Sequence, residues 1–594
     1  VSEIILNPAD DMTPVVFQAL ENCKDGDTLK FQSLEEKQSG GGSASFHFWP
    51  ELAFEKYYYL TNNRMGLKRI AFPIIGKKNL IIDGGGATFI FHGEIVPFVL
   101  DGSENVTIKN CSIDWERPFY SQGEIVRVDD DGIDVTIDRV KYPYHLEGES
   151  IVFDGEGWSS TFHEGVFEMD VKTGGPAWRS GDSLGQYIAP EDFRITQVDE
   201  KTIRFNNQFA RSAVVGNVLL MRHYQRHCPG FYLFHAKDTV IENVNLYHCG
   251  AMGVLGQFAD GVHLKNLTVQ PTPDSGRYFS VTVDATHFCN CRGLIRIEDS
   301  RFENQMDDPI NVHGLFSRIK QRMDDHSVLT ELVHPDQYGV EIGFSGDRVN
   351  LMHSDTLLPY ATLEIERVEP LNSQLVRVVF KDKLPDELCE RDALENMNWV
   401  PDLHVSGCFS HNNRARGYLI STAGKILIEN NYIASSGAAL KISGDAYYWF
   451  ESGAVHDMVI RNNTFGDSCY GNCPEWGRAV IDIDPELEDP WANPECYHRN
   501  IRIEGNTFKT FDPAILYARS VEGLVFKDNI IERTDSYPPV APDLPVIRLN
   551  ACRNAVVEGN RVNPAIQTTF LEEVNERPAD YELRTPLDFS NIEE

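Results

Sequence analysis

Asp307 and Asp308 stand side by side in Asn304-Gln305-Met306-Asp307-Asp308-Pro309-Ile310-Asn311-Val312-His313-Gly314, and a third acid, Asp284, precedes Asp307 by 23 residues in Val281-Thr282-Val283-Asp284-Ala285-Thr286-His287-Phe288. Carboxylates crowded into one cleft cannot all ionise at their usual pKa, so at least one keeps its proton near neutrality while a partner stays charged. A protonated acid can then protonate a leaving oxygen while an ionised one activates water. That division of labour belongs to an inverting glycosidase, whose two carboxyl groups lie about 6.5–9.5 Å apart. Asn311, His287 and His313 offer an amide and two imidazoles suited to sugar hydroxyls, with a satisfied structural role the competing reading for either histidine. Arg222 and His223, in Met221-Arg222-His223-Tyr224, are further candidates for substrate contact, against a salt-bridged surface role. Two plainer readings compete: paired aspartates are common in surface turns, and three of them can hold calcium. The amide and imidazoles suit a glycan better than a hard cation, so neither a metal nor a cofactor is expected.

Such chemistry requires Asp284 and the Asp307–Asp308 pair to be neighbours, and a short repeat supplies the means. The unit reads apolar, any, apolar, polar, Asn/Asp/Gly, then apolar again. It recurs as Val106-Thr107-Ile108-Lys109-Asn110, Val240-Ile241-Glu242-Asn243, Val262-His263-Leu264-Lys265-Asn266, Ile295-Arg296-Ile297-Glu298-Asp299, Leu427-Ile428-Glu429-Asn430, Val459-Ile460-Arg461-Asn462, Ile501-Arg502-Ile503-Glu504-Gly505, Val525-Phe526-Lys527-Asp528 and Val556-Val557-Glu558-Gly559. The interval is 23 residues from Asn243 to Asn266, from Gly407 to Asn430 and from Gly505 to Asp528. Alternating strands broken by residues tolerant of left-handed backbone predict a parallel β-helix, with apolar residues in a central column and a side-chain ladder at the Asn turns. Strands on successive coils lie about 4.8 Å apart, so Asp284 and the pair meet one coil apart. Asp307 and Asp308 would face opposite ways in a regular strand, but Pro309 signals a bend at which both can face the groove.

Two regions interrupt the repeat. Residues 115–225 and 316–401 alternate with Asp, Gly and Asn turns, as in Gly123-Glu124-Ile125-Val126-Arg127-Val128 and Leu375-Val376-Arg377-Val378-Val379-Phe380, and predict two inserted antiparallel, barrel-like β domains. The remaining boundaries are 1–114 for an N-terminal cap and first coils, 226–315 for the central coils with the acids, and 402–594 for the C-terminal coils. In the cap, Thr13-Pro14-Val15-Val16-Phe17-Gln18-Ala19-Leu20 reads as a helix with Thr13 at the N-cap and Pro14 at the first helical position.

Composition narrows the partners. Lys+Arg 54 against Asp+Glu 89 leaves a formal charge of −35, which repels phosphate backbones, so no nucleic-acid partner is expected. No apolar run approaches the roughly 18 residues of a membrane span; a soluble chain is expected, and assembly into a homo-oligomer is compatible with it. The twelve cysteines are scattered; Cys469 and Cys473 have zinc-like spacing without a second pair, and structural thiols or an occasional disulfide are the expectation. Val1-Ser2-Glu3-Ile4-Ile5-Leu6 has neither a charged n-region nor a long apolar h-region, so any export signal is expected to have been removed or never to have existed, and the compartment is not read from this end.

Met306-Asp307-Asp308-Pro309-Ile310-Asn311-Val312-His313-Gly314 together with Asp284 resembles glycoside hydrolase family 110, the exo-acting α-1,3-galactosidases, and the resemblance extends over nearly the whole chain. It implies a right-handed parallel β-helix with two inserted β domains and inverting hydrolysis of terminal α-1,3-linked galactose, the blood group B determinant included. It also implies a secreted or periplasmic location. By analogy with the polygalacturonases, which place one Asp about a coil before an Asp-Asp pair, Asp307 is expected to be the general acid, with Asp284 and Asp308 sharing the base role. Polygalacturonases follow their acids with an Arg-x-Lys for uronate; Arg318-Ile319-Lys320 comes too soon after Asp308 to match. A polygalacturonase- or lyase-like enzyme on acidic polysaccharide, and a noncatalytic glycan-binding β-helix, are the alternatives.

Overall fold

The computed structural model describes residues 2–32, 44–63, 65–224, 226–562 and 568–584; Val1 and residues 585–594, the extremes of the terminal regions delimited above, lie outside them. Two long parallel sheets wind around one apolar column. In the first, Thr239 pairs with Val262, Leu403 with Ile426 and Arg502 with Val525, each one 23-residue coil further on. In the second, Val96–Asp101, Phe231–Phe234, Val254–Gln257, Thr286–Cys289, Ile310–Arg322 and Tyr418–Ile420 follow one another in parallel register. This is the expected parallel β-helix.

The turn residues show why the repeat has the form it has. Asn243, Asn266, Asn430 and Asp528 all adopt left-handed backbone, with φ between 50° and 58°, which short polar side chains tolerate best. Gly407 takes the same role at φ 68°; a Cβ there would lie 2.5 Å from Asp299 Oδ1. One residue further on, a buried ladder forms. The Nδ2 groups of Asn431, Asn463, Asn506 and Asn529 donate to the Oδ1 of Asn463, Asn506, Asn529 and Asn560 at 2.9 to 3.1 Å. Each rung satisfies a polar group that would otherwise cost about 1–3 kcal/mol inside the column. Apolar rungs stack likewise: Phe465 and Phe508 lie 4.9 Å apart and nearly parallel.

The helix Thr13–Asn22 covers the N-terminal end of the column, burying Val16, Ala19 and Leu20. Its N-cap is Met12, not Thr13. The Thr13 hydroxyl instead donates to Trp49 O at 3.0 Å, and Asp11 Oδ1 accepts the Thr13 N–H at 2.9 Å, so the cap-type acceptor comes from two residues upstream. The twelve cysteines are free thiols, seven of them buried.

Both interruptions are antiparallel. The first carries a six-stranded sheet whose ends are Gly165–Met169 and Ile195–Gln197, beside a three-stranded one. The second closes on itself: Ile310–Arg322, Ser327–Glu331, Leu375–Phe380, Pro359–Pro370, Arg348–Met352 and Ala393–Asn396 pair in a complete ring. The strand Ile310–Arg322 belongs to both bodies, starting in the β-helix beside Thr286–Cys289 and ending in this barrel. Asp307 and Asp308 lie just before its β-helix end, while its barrel pairing begins only at Phe316.

Candidate active site

The register fixes the acids. His287 pairs with Asn311, and the Ala285 N–H donates to Asp308 O at 2.9 Å, which puts Asp284 level with Asp308. Asp284 Oδ1 then accepts the Asp308 N–H at 2.9 Å. One carboxylate oxygen from each of Asp284, Asp307 and Asp308 lies within 4.8 Å of the others. The next coil, after the barrel, brings Arg414 and Arg416. Tyr418 pairs with Ile310, so Arg416 stands opposite Asp308 in the same register, and its N–H and Nη2 donate to the two Asp308 oxygens at 3.0 and 2.8 Å. Arg414 Nη1 lies 3.7 Å from Asp307 Oδ2 and is anchored on Asp182, from the first insertion, through Nε at 2.8 Å.

The three acids occupy different electrostatic environments. Asp284, 3% exposed, has its carboxyl pushed up to about 8, first by burial and then by the negative charge of Asp307. Burial also works to raise Asp307, but the guanidiniums of Arg414, Arg416, Arg226 and Arg222 together outweigh it and hold Asp307 below its ordinary value. Burial pushes Asp308 up, opposed by Arg416 and reinforced by its two acid neighbours. The trio therefore carries protonated and ionised carboxyls side by side near neutrality.

Asp284 and Asp307 open onto a cavity of about 1020 Å³. Asn311, Arg222, Arg226, Arg414 and Arg416 share its floor, and Tyr187, Tyr447, Tyr448 and Trp449 supply aromatic surface on its walls. Asn311 Oδ1 and Asp307 Oδ1 are buried and have no protein partner. Four guanidiniums already balance the acids, a donor set that fits a neutral polyhydroxyl molecule better than a divalent cation.

Several candidates from the sequence take other places. Asp308 does not line the cavity: Pro309 does bend the chain, but Arg416 draws the Asp308 carboxylate beneath the floor. His287 and His313 lie behind Asp284, fully buried. The inward places on their strands go to Phe288, Ile310 and Val312 of the core, and the two histidines pack against each other rather than reaching the cavity. Arg222 is at the site, held by Glu164 and by Asp182 at 3.3 Å. His223 is not: its neighbour on the strand faces the cavity, so it points into the first inserted domain, stacked on Phe153 at 4.1 Å and paired with Ser121 Oγ at 3.0 Å.

Arg414, Arg416, Asp182, Arg226 and Glu451 escaped the sequence reading. The spacing of the repeat holds the only signal for Arg414 and Arg416: with the second insertion excised, Arg-x-Arg falls one coil beyond Met306-Asp307-Asp308.

Family models match both inserted domains. Residues 121–219 match the GLAA-B β-barrel domain I, and residues 327–394 match GLAA-B β-barrel domain II. The chain is 35% identical over 560 residues to α-1,3-galactosidase A of Shewanella woodyi, covering 93% of this chain and 88% of that protein. It is 34% identical over 592 residues to α-1,3-galactosidase B of Bacteroides thetaiotaomicron, covering 98% and 94%. Among solved structures, the polygalacturonase from Erwinia carotovora aligns at a TM-score of 0.33 and 11% identity over 96% of each chain. With its acids one coil apart, its two inserted β domains and this identity over nearly its whole length, the chain belongs to the α-1,3-galactosidases of glycoside hydrolase family 110.

Proposed function

We propose that this chain releases terminal α-1,3-linked galactose from glycans, blood group B-type chains among them, by a single displacement with inversion. The names of its relatives supply the linkage, and the carboxyl trio at the cavity floor supports the chemistry. A neutral sugar suits this floor: its hydroxyls can donate to the carboxyls of Asp284 and Asp307 that line it and accept from the surrounding guanidiniums. In this reading Asp307, exposed to the cavity beside Arg414, gives a proton to the glycosidic oxygen and leaves ionised. Asp284, with Asp308 backing it, takes the proton of the attacking water. Turnover would leave Asp284 protonated and Asp307 ionised, the distribution that the surroundings of each acid favour here, and the next cycle would begin when Asp284 gives up that proton and Asp307 takes one up. We also propose that the enzyme works outside the cytoplasm, where large glycans are met.

One observation favours a second reading. The separation of no more than 4.8 Å between acid oxygens is shorter than the about 6.5–9.5 Å of inverting pairs and nearer the about 5–5.5 Å of retaining ones. Retention would need Asp307 as a covalent nucleophile with Asp284 as the acid. Inversion is preferred because Asp307 is hemmed in by guanidiniums that weaken a nucleophile, while a water needs only a free lone pair on the trio.

The direct test is incubation with an α-1,3-galactosyl disaccharide, linear and fucosylated. Galactose should appear from at least one of them. A folded protein that liberates none would refute the assignment, and an ultraviolet-absorbing unsaturated product from an acidic polysaccharide would move it to the lyases.

A further inference from the structure

Behind Asp284 runs a line of buried groups that the proposed hydrolysis does not itself require. Asp284 Oδ2 lies 2.6 Å from His287 Nδ1, His287 Nε2 lies 2.9 Å from His313 Nε2, and His313 Nδ1 lies 2.6 Å from the carbonyl oxygen of Gly314. The rings meet edge to face, 4.9 Å apart.

The last contact sets the others. A carbonyl oxygen only accepts, so His313 Nδ1 carries a hydrogen. Both imidazoles are held neutral near pH 7 by burial, His287 down to about 4 and His313 in the same direction. A neutral His313 protonated at Nδ1 presents a bare Nε2, which must accept from His287 Nε2–H. His287 Nδ1 is then bare in turn, and the hydrogen in the short contact to Asp284 has to come from Asp284 Oδ2. Three contacts need three hydrogens, and two neutral imidazoles supply two. The line therefore contains one proton more than a carboxylate and two neutral rings.

We propose that His287 and His313 are positioning residues that keep the proton taken from the attacking water on the far side of Asp284, at the Oδ2–Nδ1 contact, away from the cavity. Neither histidine touches the sugar. The charged groups facing this line are consistent with the role. Asp307, Asp308, Arg416 and Arg226 act on Asp284; Glu451, Arg226 and Asp307 act on His287; Glu451, His287 and Asp284 act on His313. Glu451 Oε1 stands 3.6 Å from His313 Nε2 and reaches the cavity wall. The kinetic part of this proposal rests on the acid–base reading above, and its tautomeric part does not.

The tautomers are read by ¹⁵N NMR of the histidine-labelled wild-type protein at neutral pH. His313 protonated at Nδ1 and His287 protonated at Nε2 support the relay. Two neutral rings with His287 protonated at Nδ1 and His313 at Nε2 overturn it, whether or not the protein cleaves a galactoside. The pH profile of kcat/KM tests the consequence. His313→Leu removes the acceptor that holds His287 in its tautomer. His287 can then donate Nδ1–H to an ionised Asp284, and the basic limb should fall by roughly one pH unit or more. His313→Gln, whose carbonyl can accept from His287 Nε2–H, should return the limb towards the wild-type position. A structural role alone would lower activity in both variants and leave the limbs where they were, and that result would overturn the proposal.

Discussion

Across one turn of the solenoid the Asp308 N–H donates to Asp284 Oδ1 at 2.9 Å, so the backbone of one acid orients the side chain of another. The carboxylates are thus held together by the coil register itself, and the next strand, beginning at Ile310, brings Asn311 to the same cavity.

Asp307 is the trio member that both faces the cavity and has an unpartnered oxygen. Asp307→Asn keeps its shape but can neither give nor take a proton. A fall in kcat of about 10²- to 10⁴-fold is expected, with the circular dichroism of the wild type. Undiminished galactose release would remove Asp307 from the mechanism.

Arg416 neutralises a carboxyl that has no access to water. Arg416→Met leaves Asp308 without its partner, and stability should drop by ~3 kcal/mol, the low end for a broken buried pair because Asp308 can take up a proton. Asp308→Asn combined with Arg416→Met should recover part of that loss in urea unfolding. Two losses that simply add would show that the pair is not coupled.

Stability should respond to pH in a definite window. Folded Asp284 keeps its proton to about pH 8, whereas an unfolded carboxyl releases it near ~3.9. Through that interval the folded state binds the extra proton and stability falls as pH rises, by about 1.4 kcal/mol per pH unit. His287 opposes this. Folded, it stays neutral down to about 4, while unfolded it titrates near ~6.5, so between those values its contribution rises with pH. The two offset each other until ~6.5, and from there to about pH 8 only Asp284 of this pair contributes. Melting curves of wild type and Asp284→Asn between pH 6.5 and 8 should therefore converge as pH rises. Parallel curves would mean that Asp284 is ionised throughout.

The sequence disclosed the column because its physics is local and periodic. Left-handed Asn243, Asn266 and Asn430 mark each coil, and alternating Val, Ile and Leu mark what fills it. Asp284 and the Asp307–Asp308 pair were legible for the same reason, being one uninterrupted coil apart. Arg416 was not, because 108 residues separate it from Asp308 and the whole second barrel intervenes. Asp182 and Glu164 come from the first insertion, whose loops follow no repeat. His223 was misplaced because sequence adjacency to Arg222 was read as spatial adjacency, although neighbours on a strand point to opposite faces. The histidines at 287 and 313 were found as residues but not as partners, since their contact depends on side-chain direction across two coils.

The anomeric form of the first galactose released tests the central claim most directly. ¹H NMR during the opening minutes of hydrolysis, before mutarotation, should show β-galactopyranose, produced when a water activated by the acid trio displaces the α-linked aglycone in one step. Initial accumulation of the α-anomer would contradict single displacement and would turn Asp307 from proton donor into covalent nucleophile.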